Sequence, residues 1–543
     1  MGSLETLDIL IVGAGPVGLT LALDLGRRGI RSTIVERDAN TDTGLHAKAS
    51  VIDERTMEFS RRLGIRDDIV NAGYPEDLPG DTVFCTAMNG HLIGRLVMDS
   101  AATREVPEQS AEALRRCPQI WFDPILARAV QRQGMADVRY STQLVQCDQD
   151  DTGVTCELRN LHDDSSETVR ARYVVACDGA GSVVRKSLGI SFDGKDLGYA
   201  ISSIVRVDLL KYNSWIPAER FMFIGPDGTW GNFTTIDGRS LWRFSVVGGK
   251  EKRDLSTFDM NPLLRKALGN DDIEYEIIKT VQWRRSQYTA EKYHQGRIFL
   301  AGDAAHTMSP TGGHGLNTGI GDVMGLSWVL QGFLEGWGGP GLADAYTLER
   351  RPVALRNGTG STRNFTIWTE SNGRDKVLDF GPEADEQRRI LGEHMAANMR
   401  QEFQSLGLAL GYNYADSPLI VADGSPAPLD DAEFYIQTAR PGHRAPHHWL
   451  NEGKSTIDLF GNGFVLVCCV ELAEGDEKMK LVAKERRLPF ETVVITDQAV
   501  AKLYERRLVL VRPDGMVAWR GDVLPEDVEG LLDRVRGASS SAK

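Results

Sequence analysis

Hydrophobic and polar positions along this chain follow two periods, and the change from one to the other falls at glycines. A buried strand is predicted over residues 7–12, a helix over 20–28 stopped by Gly29, and a second strand over 32–36. A helix over 55–63 also ends at a glycine, Gly64. Residues 82–97 then turn to strand alternation, with Asn89-Gly90 as a hairpin turn. Residues 124–133 read as helix and 138–176 as strand-rich, closing on an apolar run at 173–176. The clearest β region is 200–247, where Trp242, Phe244 and Val246 share one face and turns fall at 225–228 and 237–238. Helix returns at 323–334 and dominates 342–405, whereas 406–436 is irregular, with prolines and acidic residues. After Arg440, apolar strand runs at 463–468, 492–495 and 508–511 alternate with helical segments, and a last helix is expected at 525–535.

Two junctions in this pattern carry chemistry. The first strand feeds Gly13-Ala-Gly15-Pro16-Val-Gly18, a GxGxxG turn that opens a helix, and Glu36 closes the next strand. Glycines at that spacing allow a tight turn and a close pyrophosphate, the helix N-terminus favours its charge, and Glu36 can accept from a ribose hydroxyl. The second junction, residues 296–306, is a strand ending on Gly302-Asp303. It continues through Pro310-Thr-Gly-Gly-His-Gly315-Leu316-Asn317 into a helix. Together the two predict an FAD site. A third segment, Asp178-Gly179-Ala-Gly181-Ser182-Val-Val-Arg185, has the same strand-turn-helix build, so Asp178 and Arg185 become candidates for holding flavin and passing nicotinamide. A single GxGxxG is present, so no dedicated NAD(P)H domain is expected.

Composition narrows the partners. The chain has 543 residues, 41% of them apolar and 25% charged, with a net charge of −14. That charge argues against a nucleic-acid partner, which needs a basic surface. Seven cysteines are scattered without a CxxC pair or zinc-like Cys/His spacing, so no metal is expected and the thiols read as buried and reduced. No run reaches the roughly 18 apolar residues of a membrane span. The N-terminal apolar segment has no basic flank and is broken by the glycine turn, unlike a signal peptide. A cytoplasmic location is the expectation.

The trio of motifs at 13–18, 178–185 and 302–303 resembles the single-component, FAD-dependent aromatic hydroxylases, the class A flavoprotein monooxygenases typified by p-hydroxybenzoate hydroxylase, over residues 1 to about 355. Downstream, Gly442-His-Arg-Ala-Pro446-His447 and Arg512-Pro-Asp-Gly515 resemble a longer subgroup that includes phenol hydroxylase and the aromatic-polyketide hydroxylases. Members of that subgroup carry a C-terminal thioredoxin-like domain without redox cysteines.

The resemblance implies an α/β fold in which a Rossmann-like FAD-binding domain (1–80, 106–190 and 291–405, the last with a helical segment) interleaves with a β-sheet substrate domain (81–105 and 191–290). A linker over 406–439 and a thioredoxin-like domain over 440–543 complete it. The implied cofactor set is Gly13, Gly15, Pro16, Gly18, Glu36, Arg37, Lys48, Gln119, Asp178, Arg185, Gly302, Asp303, Pro310, Gly315, Leu316 and Asn317, holding FAD without a covalent link. Asp303 would bind the ribityl chain, and Leu316 and Asn317 would offer backbone N–H groups to the pyrimidine edge. The implied reaction uses NAD(P)H and O2 to hydroxylate an aromatic, phenolic small molecule through a flavin C4a-hydroperoxide.

The chain departs from the family at Ser309-Pro310, His314, Lys48 and Ser50. Ser50 stands where phenol hydroxylase has an aspartate, which leaves the base unidentified. His46, Lys48, Arg243, Arg284 and Tyr288 are the candidates, and Phe221, Phe223, Trp230, Trp242 and Trp283 are expected to wall the substrate. Baeyer–Villiger oxidation or oxidative dearomatisation on the same scaffold is the second reading, and a flavin-binding protein without turnover the third. A homodimer is left open.

Overall fold

Apolar strand runs organise the described residues into three main sheets, beside two two-stranded pairs. The computed structural model describes residues 6–40, 48–209, 217–369, 373–470 and 476–538. In the first sheet the spatial order is His294–Gln295, Ile298–Leu300, Ser166–Ala176, Thr6–Val12, Ser32–Val35 and Ala136–Arg139. The strands from Ile298–Leu300 onward run parallel. Such a sheet is buried on both faces, which is why Ile9, Leu10, Ile11, Ile34, Val174 and Val175 have no exposed surface. The hairpin of Thr142–Asp150 and Gly153–Asn160 adds antiparallel strands beside Ser166–Ala176.

Glycine-driven close packing joins helices to this sheet. Pro16–Arg27 starts on a proline with pre-set φ and buries Leu19, Leu21 and Leu25. A Cβ on Gly18 would sit 2.0 Å from the Gly13 carbonyl oxygen, so only glycine fits there. The helix expected at 323–334 begins nine residues earlier, as His314–Glu335. Its first turns carry Gly315, Gly319 and Gly321, weak helix formers that hide the pattern. Contact explains them, because a Cβ on Gly319 would meet Val17 Cγ2 at 2.8 Å and one on Gly321 would meet the Arg350 guanidinium at 2.6 Å. Two other boundaries also differ. Gln119–Gln133 runs through Pro124, since the proline that marks its start is Pro118, and the last helix, Val528–Val535, begins only after its capping residue Asp527.

The second sheet has eight strands in the order His306–Thr307, Glu276–Ala290, Phe192–Arg206, Leu241–Val247, Gly228–Thr235, Arg220–Gly225, Thr82–Cys85 and Leu92–Leu96. It is antiparallel except where Arg220–Gly225 meets Thr82–Cys85. Alternation gives it two chemically different faces. Phe221, Phe223, Phe233, Trp242 and Phe244 point to one side and pack against Leu264, Ala267 and Leu268 of the helix Asn261–Leu268. The opposite face looks toward the first sheet.

The third sheet, ordered Phe490–Val494, Phe464–Cys468, Leu508–Val511 and Val517–Gly521, has one parallel pair and two antiparallel pairs. With the helices Glu477–Glu485, Gln498–Tyr504 and Val528–Val535 it forms a thioredoxin-like unit. Cys468 and Cys469 are buried there, and burial pushes their thiols up to about 12 and about 11. Buried ion pairs fasten this unit to the rest: Arg444 to Glu58, and Arg512 to Glu349 at 2.6 Å. Among the described residues no helix is long and apolar enough to cross a membrane.

Candidate active site

A cavity of about 940 Å3 opens between the parallel sheet and the inward face of the second sheet. Its first end is built from backbone. Gly13 adopts φ +107° and donates its N–H to Val35 O at 2.8 Å, and a Cβ there would strike Cys177 O at 2.5 Å. Gly15 differs: among the described residues, its chain neighbours aside, no atom lies within 4 Å of where its Cβ would be, and it lines the cavity. The Pro16–Arg27 helix begins at Gly15 without a side-chain cap, which leaves first-turn N–H groups toward that space. Glu36 braces the turn, accepting from Ala14 N at 2.7 Å and Asp38 N at 2.9 Å.

A second helix start faces the same cavity. His314–Glu335 begins on Gly313, left-handed at φ +73° and again without a side-chain cap, and Gly315 and Leu316 line the cavity. Asn317 does not line it. Its amide donates to Val51 O and Gly313 O and accepts from Asp53 N, fastening the helix start to the neighbouring chain. Gly302 and Gly18 lie behind the lining residues as packing positions, and a Cβ on Gly302 would meet Val17 at 2.8 Å.

Asp303 projects into the cavity from the short turn Gly302–Ala304. Enclosure by protein holds its carboxyl above the ordinary range, against the pull of His306 and Lys48. Behind the turn sits a buried hub that sequence reading missed. Asp322 accepts from Gly302 N at 3.0 Å, bonds His306 Nε2 at 2.7 Å, and accepts from Arg350 Nε at 2.9 Å.

The expected pair Asp178 and Arg185 separates. Asp178 lines the cavity, with Oδ2 accepting from Val183 N at 2.8 Å and Oδ1 buried without a hydrogen-bond partner. Arg185 lies outside the cavity. It donates to Ala304 O and Ala180 O and stacks over Phe192 at 3.8 Å, tying together the two turns that carry Asp178 and Asp303. Its short helix turns the side chain back into the protein rather than toward a ligand. Pro16, Arg37, Lys48, Gln119 and Pro310 all line the cavity. Gln119 donates to Asp123 Oδ2 at 2.9 Å, and Asp123, another missed residue, has Oδ1 unpartnered; burial pushes its carboxyl up to about 7.

The second end is built from side chains of the sheet. Cross-strand register sets two rows on the cavity side: Asn232, Ser245, Ser202 and Val281, then Thr234, Arg243, Ile204 and Lys279. Of the five residues expected to wall a substrate, Trp283 alone lines the cavity, its indole N–H donating to Ser202 Oγ at 2.9 Å. Phe221, Phe223 and Trp242 are fully buried on the other face, and Trp230 packs beside them under Lys266. The period-two alternation is as expected, but the aromatic face turns away from the cavity. Instead the wall brings in Arg104, Arg116, Arg220 and Arg285, none of them anticipated; strand alternation that places arginines at 220, 243 and 285 was the available signal.

Among the base candidates, Lys48, Arg243 and Arg284 reach the cavity, and Arg243 donates to Lys48 O at 3.1 Å. Tyr288 is outside, bonded to Asp196 at 3.2 Å, the acid that also pairs with Arg284 at 3.4 Å. His46 lies outside the described residues.

Comparisons with known proteins agree with this geometry. Residues 6–360 match the FAD binding domain family, and residues 438–539 match the aromatic-ring hydroxylase C-terminal family. The chain is 30% identical to 2,4-dichlorophenol 6-monooxygenase of Delftia acidovorans, across 98% of this chain and 97% of that protein. A putative polyketide hydroxylase of Streptomyces halstedii is 31% identical, with coverage of 98% and 97%. Among solved structures, the rebeccamycin biosynthetic enzyme RebC with reduced flavin superposes with a TM-score of 0.90 at 37% identity, covering 99% of this chain and 100% of that one.

Proposed function

This chain belongs to the FAD-dependent aromatic-ring hydroxylases, and from that premise we propose that it places one oxygen atom of O2 on a phenolic small molecule, with NAD(P)H as reductant. The observation that carries the reading is the joining, in one cavity, of a backbone-built end suited to a dinucleotide with a side-chain-built end suited to a ring. The residues present fit FAD. The open space over Gly15 and the uncapped helix start at Pro16 suit its pyrophosphate, Glu36 its adenosine ribose, and Asp303 its ribityl hydroxyls. Bound FAD supplies the electron transfer and O2 activation that amino-acid side chains lack.

The protein's own part is binding, orientation and charge. The uncapped N-terminus of His314–Glu335 offers a positive dipole end to a ring edge on which negative charge develops. Trp283, held by Ser202, presents an aromatic surface to the substrate. Lys48, exposed to the cavity, is the group placed to move a proton, while Arg243 favours an anionic oxygen without accepting one. The described cysteines are all free, which suits a cytoplasmic location. Assembly as a homodimer is a proposal that sedimentation velocity decides.

Purified protein should be yellow, oxidise NAD(P)H faster when a phenolic substrate is present, and yield a product heavier by one oxygen. Asp303→Ala should lose most of its FAD. Oxygen appearing solely as H2O2 across a broad panel of phenols would overturn hydroxylation, and full FAD retention in Asp303→Ala would overturn the ribityl contact.

A further inference from the structure

Two cysteines face each other across the hairpin that extends the first sheet. In the register of Thr142–Asp150 with Gly153–Asn160, Cys147 lies directly opposite Cys156, and among the described strands no other cysteine pair is matched in this way. The kind of position follows from counting back from the turn. Asp150 and Gly153 close a two-residue loop, which makes them a hydrogen-bonded pair. Alternation then leaves 149 with 154 unbonded, bonds 148 with 155, and leaves Cys147 with Cys156 unbonded. Residues opposed at an unbonded position have Cα atoms about 4.5 Å apart and side chains on one face. A disulfide spans roughly 4.4–6.8 Å between Cα atoms, so this pair can be bridged without moving the backbone. A bulge puts both sulfurs on the buried side. The register slips between Leu144 and Gln146, so Val145 and Gln146 are both exposed and Cys147 turns inward. Cys147 and Cys156 pack on the same core, the first half-buried and the second without exposed surface.

The pair also lies close to the cavity. Gln143 and Leu144, on the same strand as Cys147, line it. The short helix Val183–Ser187, which follows the Asp178 turn, packs on this strand. Burial raises both thiols: Cys147 stands above the ordinary range against the pull of the Ser187 hydroxyl, and Cys156 is pushed up to about 12. Both are therefore protonated at neutral pH, and their oxidation is slow beside turnover. Cys147, the half-buried one, is the sulfur that a small uncharged oxidant meets first.

We propose that Cys147 and Cys156 form a peroxide-driven disulfide site, with Cys147 reacting first and Cys156 closing the bridge. The sulfur of Cys147 attacks one oxygen of H2O2: an S–O bond forms, the O–O bond breaks, and the other oxygen leaves as water with the thiol proton. The sulfur of Cys156 then attacks that of Cys147, forming the S–S bond and expelling the hydroxyl as a second water. Two thiols and one H2O2 thus give one disulfide and two waters. The source of the oxidant rests on the hydroxylase reading: electrons that reach O2 with no substrate in place leave the cavity as H2O2. The bridge therefore records uncoupling on the strand that backs the Asp178 turn.

Peptide mass spectrometry of the FAD-loaded protein tests this after treatment with hydrogen peroxide and alkylation under denaturing conditions. Trypsin releases both cysteines in one peptide, residues 140–159, because Arg139 and Arg159 flank it with no lysine or arginine between. In wild type that peptide should lose two hydrogens, resist alkylation, and regain both thiols with dithiothreitol. Cys156→Ser should stop at the sulfenic acid, which dimedone captures on Cys147, and Cys147→Ser should leave Cys156 a free thiol. Two alkylated thiols in treated wild type, a bridge from either cysteine to Cys177, or equally fast oxidation of Cys156 in Cys147→Ser each overturns the proposal. Circular dichroism and FAD absorbance check the folding of the serine variants, and the wild-type result stands without them. In a second arm, NAD(P)H and air without substrate replace the added peroxide, and the same bridge should form unless catalase is present. A bridge with added peroxide but not in this arm overturns the cavity as the source. Added peroxide needs no turnover and product analysis judges hydroxylation, so the two readings fail separately.

Discussion

The two ends of the cavity recognise charge by different means. At the cofactor end, glycine turns and two uncapped helix starts aim backbone N–H groups into the cavity, while Glu36, Asp123, Asp178 and Asp303 supply acceptors. At the sheet end, backbone groups are consumed by the ladder, and long cationic side chains do the recognition. The backbone end is specified by residues that must be small. The sheet end is specified by register, because shifting a strand by one residue exchanges Arg243 for Trp242. The first construction suits a cofactor shared by a family, and the second can be rewritten strand by strand for a new substrate.

The largest effect should come from removing the support behind the cofactor end. Asp322→Ala leaves Arg350 buried without its 2.9 Å partner and frees the Gly302 turn, so a loss of about 3–5 kcal/mol is expected, with FAD lost as well. Chemical denaturation and FAD fluorescence measure both. A normally stable, FAD-replete variant would show that the turn does not need its hub.

Next come the two faces of the sheet. Trp242→Ala removes a fully buried ring and should cost about 3–5 kcal/mol, with coupling of NAD(P)H oxidation to product unchanged in the folded protein. Trp283→Ala should do the reverse, lowering coupling severalfold at a smaller stability cost. If Trp242→Ala uncouples while Trp283→Ala does not, the assignment of faces is wrong.

At the cofactor end, Gly15→Ala places a methyl group where no atom of the described residues beyond its chain neighbours competes. Melting should barely change, yet FAD affinity should fall about tenfold, since a ligand phosphate needs that space. Unchanged FAD affinity would move the pyrophosphate elsewhere.

These contrasts also explain what could be read from sequence. The spacing of Gly13, Gly15 and Gly18, and of Gly302 and Asp303, encodes its own geometry, because Gly13, Gly18 and Gly302 answer a close approach or a left-handed turn and Gly15 leaves open the space above the helix start. The alternation of Trp242, Phe244 and Val246 was equally plain. Which of the two faces turns toward the cavity is not written in any one strand. It depends on the helix Asn261–Leu268 covering the aromatic side, a contact between segments distant in sequence. Expecting an aromatic ligand to meet an aromatic wall therefore chose the wrong face. Arg185 misled for a related reason: its motif sits at the site, but its guanidinium is spent on Ala180 and Ala304. Asp322 could not be found from its neighbours, since its partners Gly302, His306 and Arg350 come from three separate elements.

The last contrast is a pH dependence that should separate the two ends. Burial raises the Asp123 carboxyl from 3.8 to about 7 in the folded protein. Between those values the native state keeps a proton that the unfolded chain has released. Raising pH through this window therefore favours unfolding: the contribution of Asp123 is fully present below about pH 4 and is lost as pH approaches 7. Asp123→Asn has no such proton to lose, so its melting temperature relative to wild type should rise from pH 4 to pH 7 and level off above. Arg285, charged throughout that range, predicts a flat difference for Arg285→Gln. Paired melting curves of the FAD-free proteins at matched pH cancel the many carboxylates common to both. A flat Asp123→Asn difference would mean that water or a neighbouring group already answers the unpartnered Oδ1, and that the acidic end of the cavity is wetter than its geometry implies.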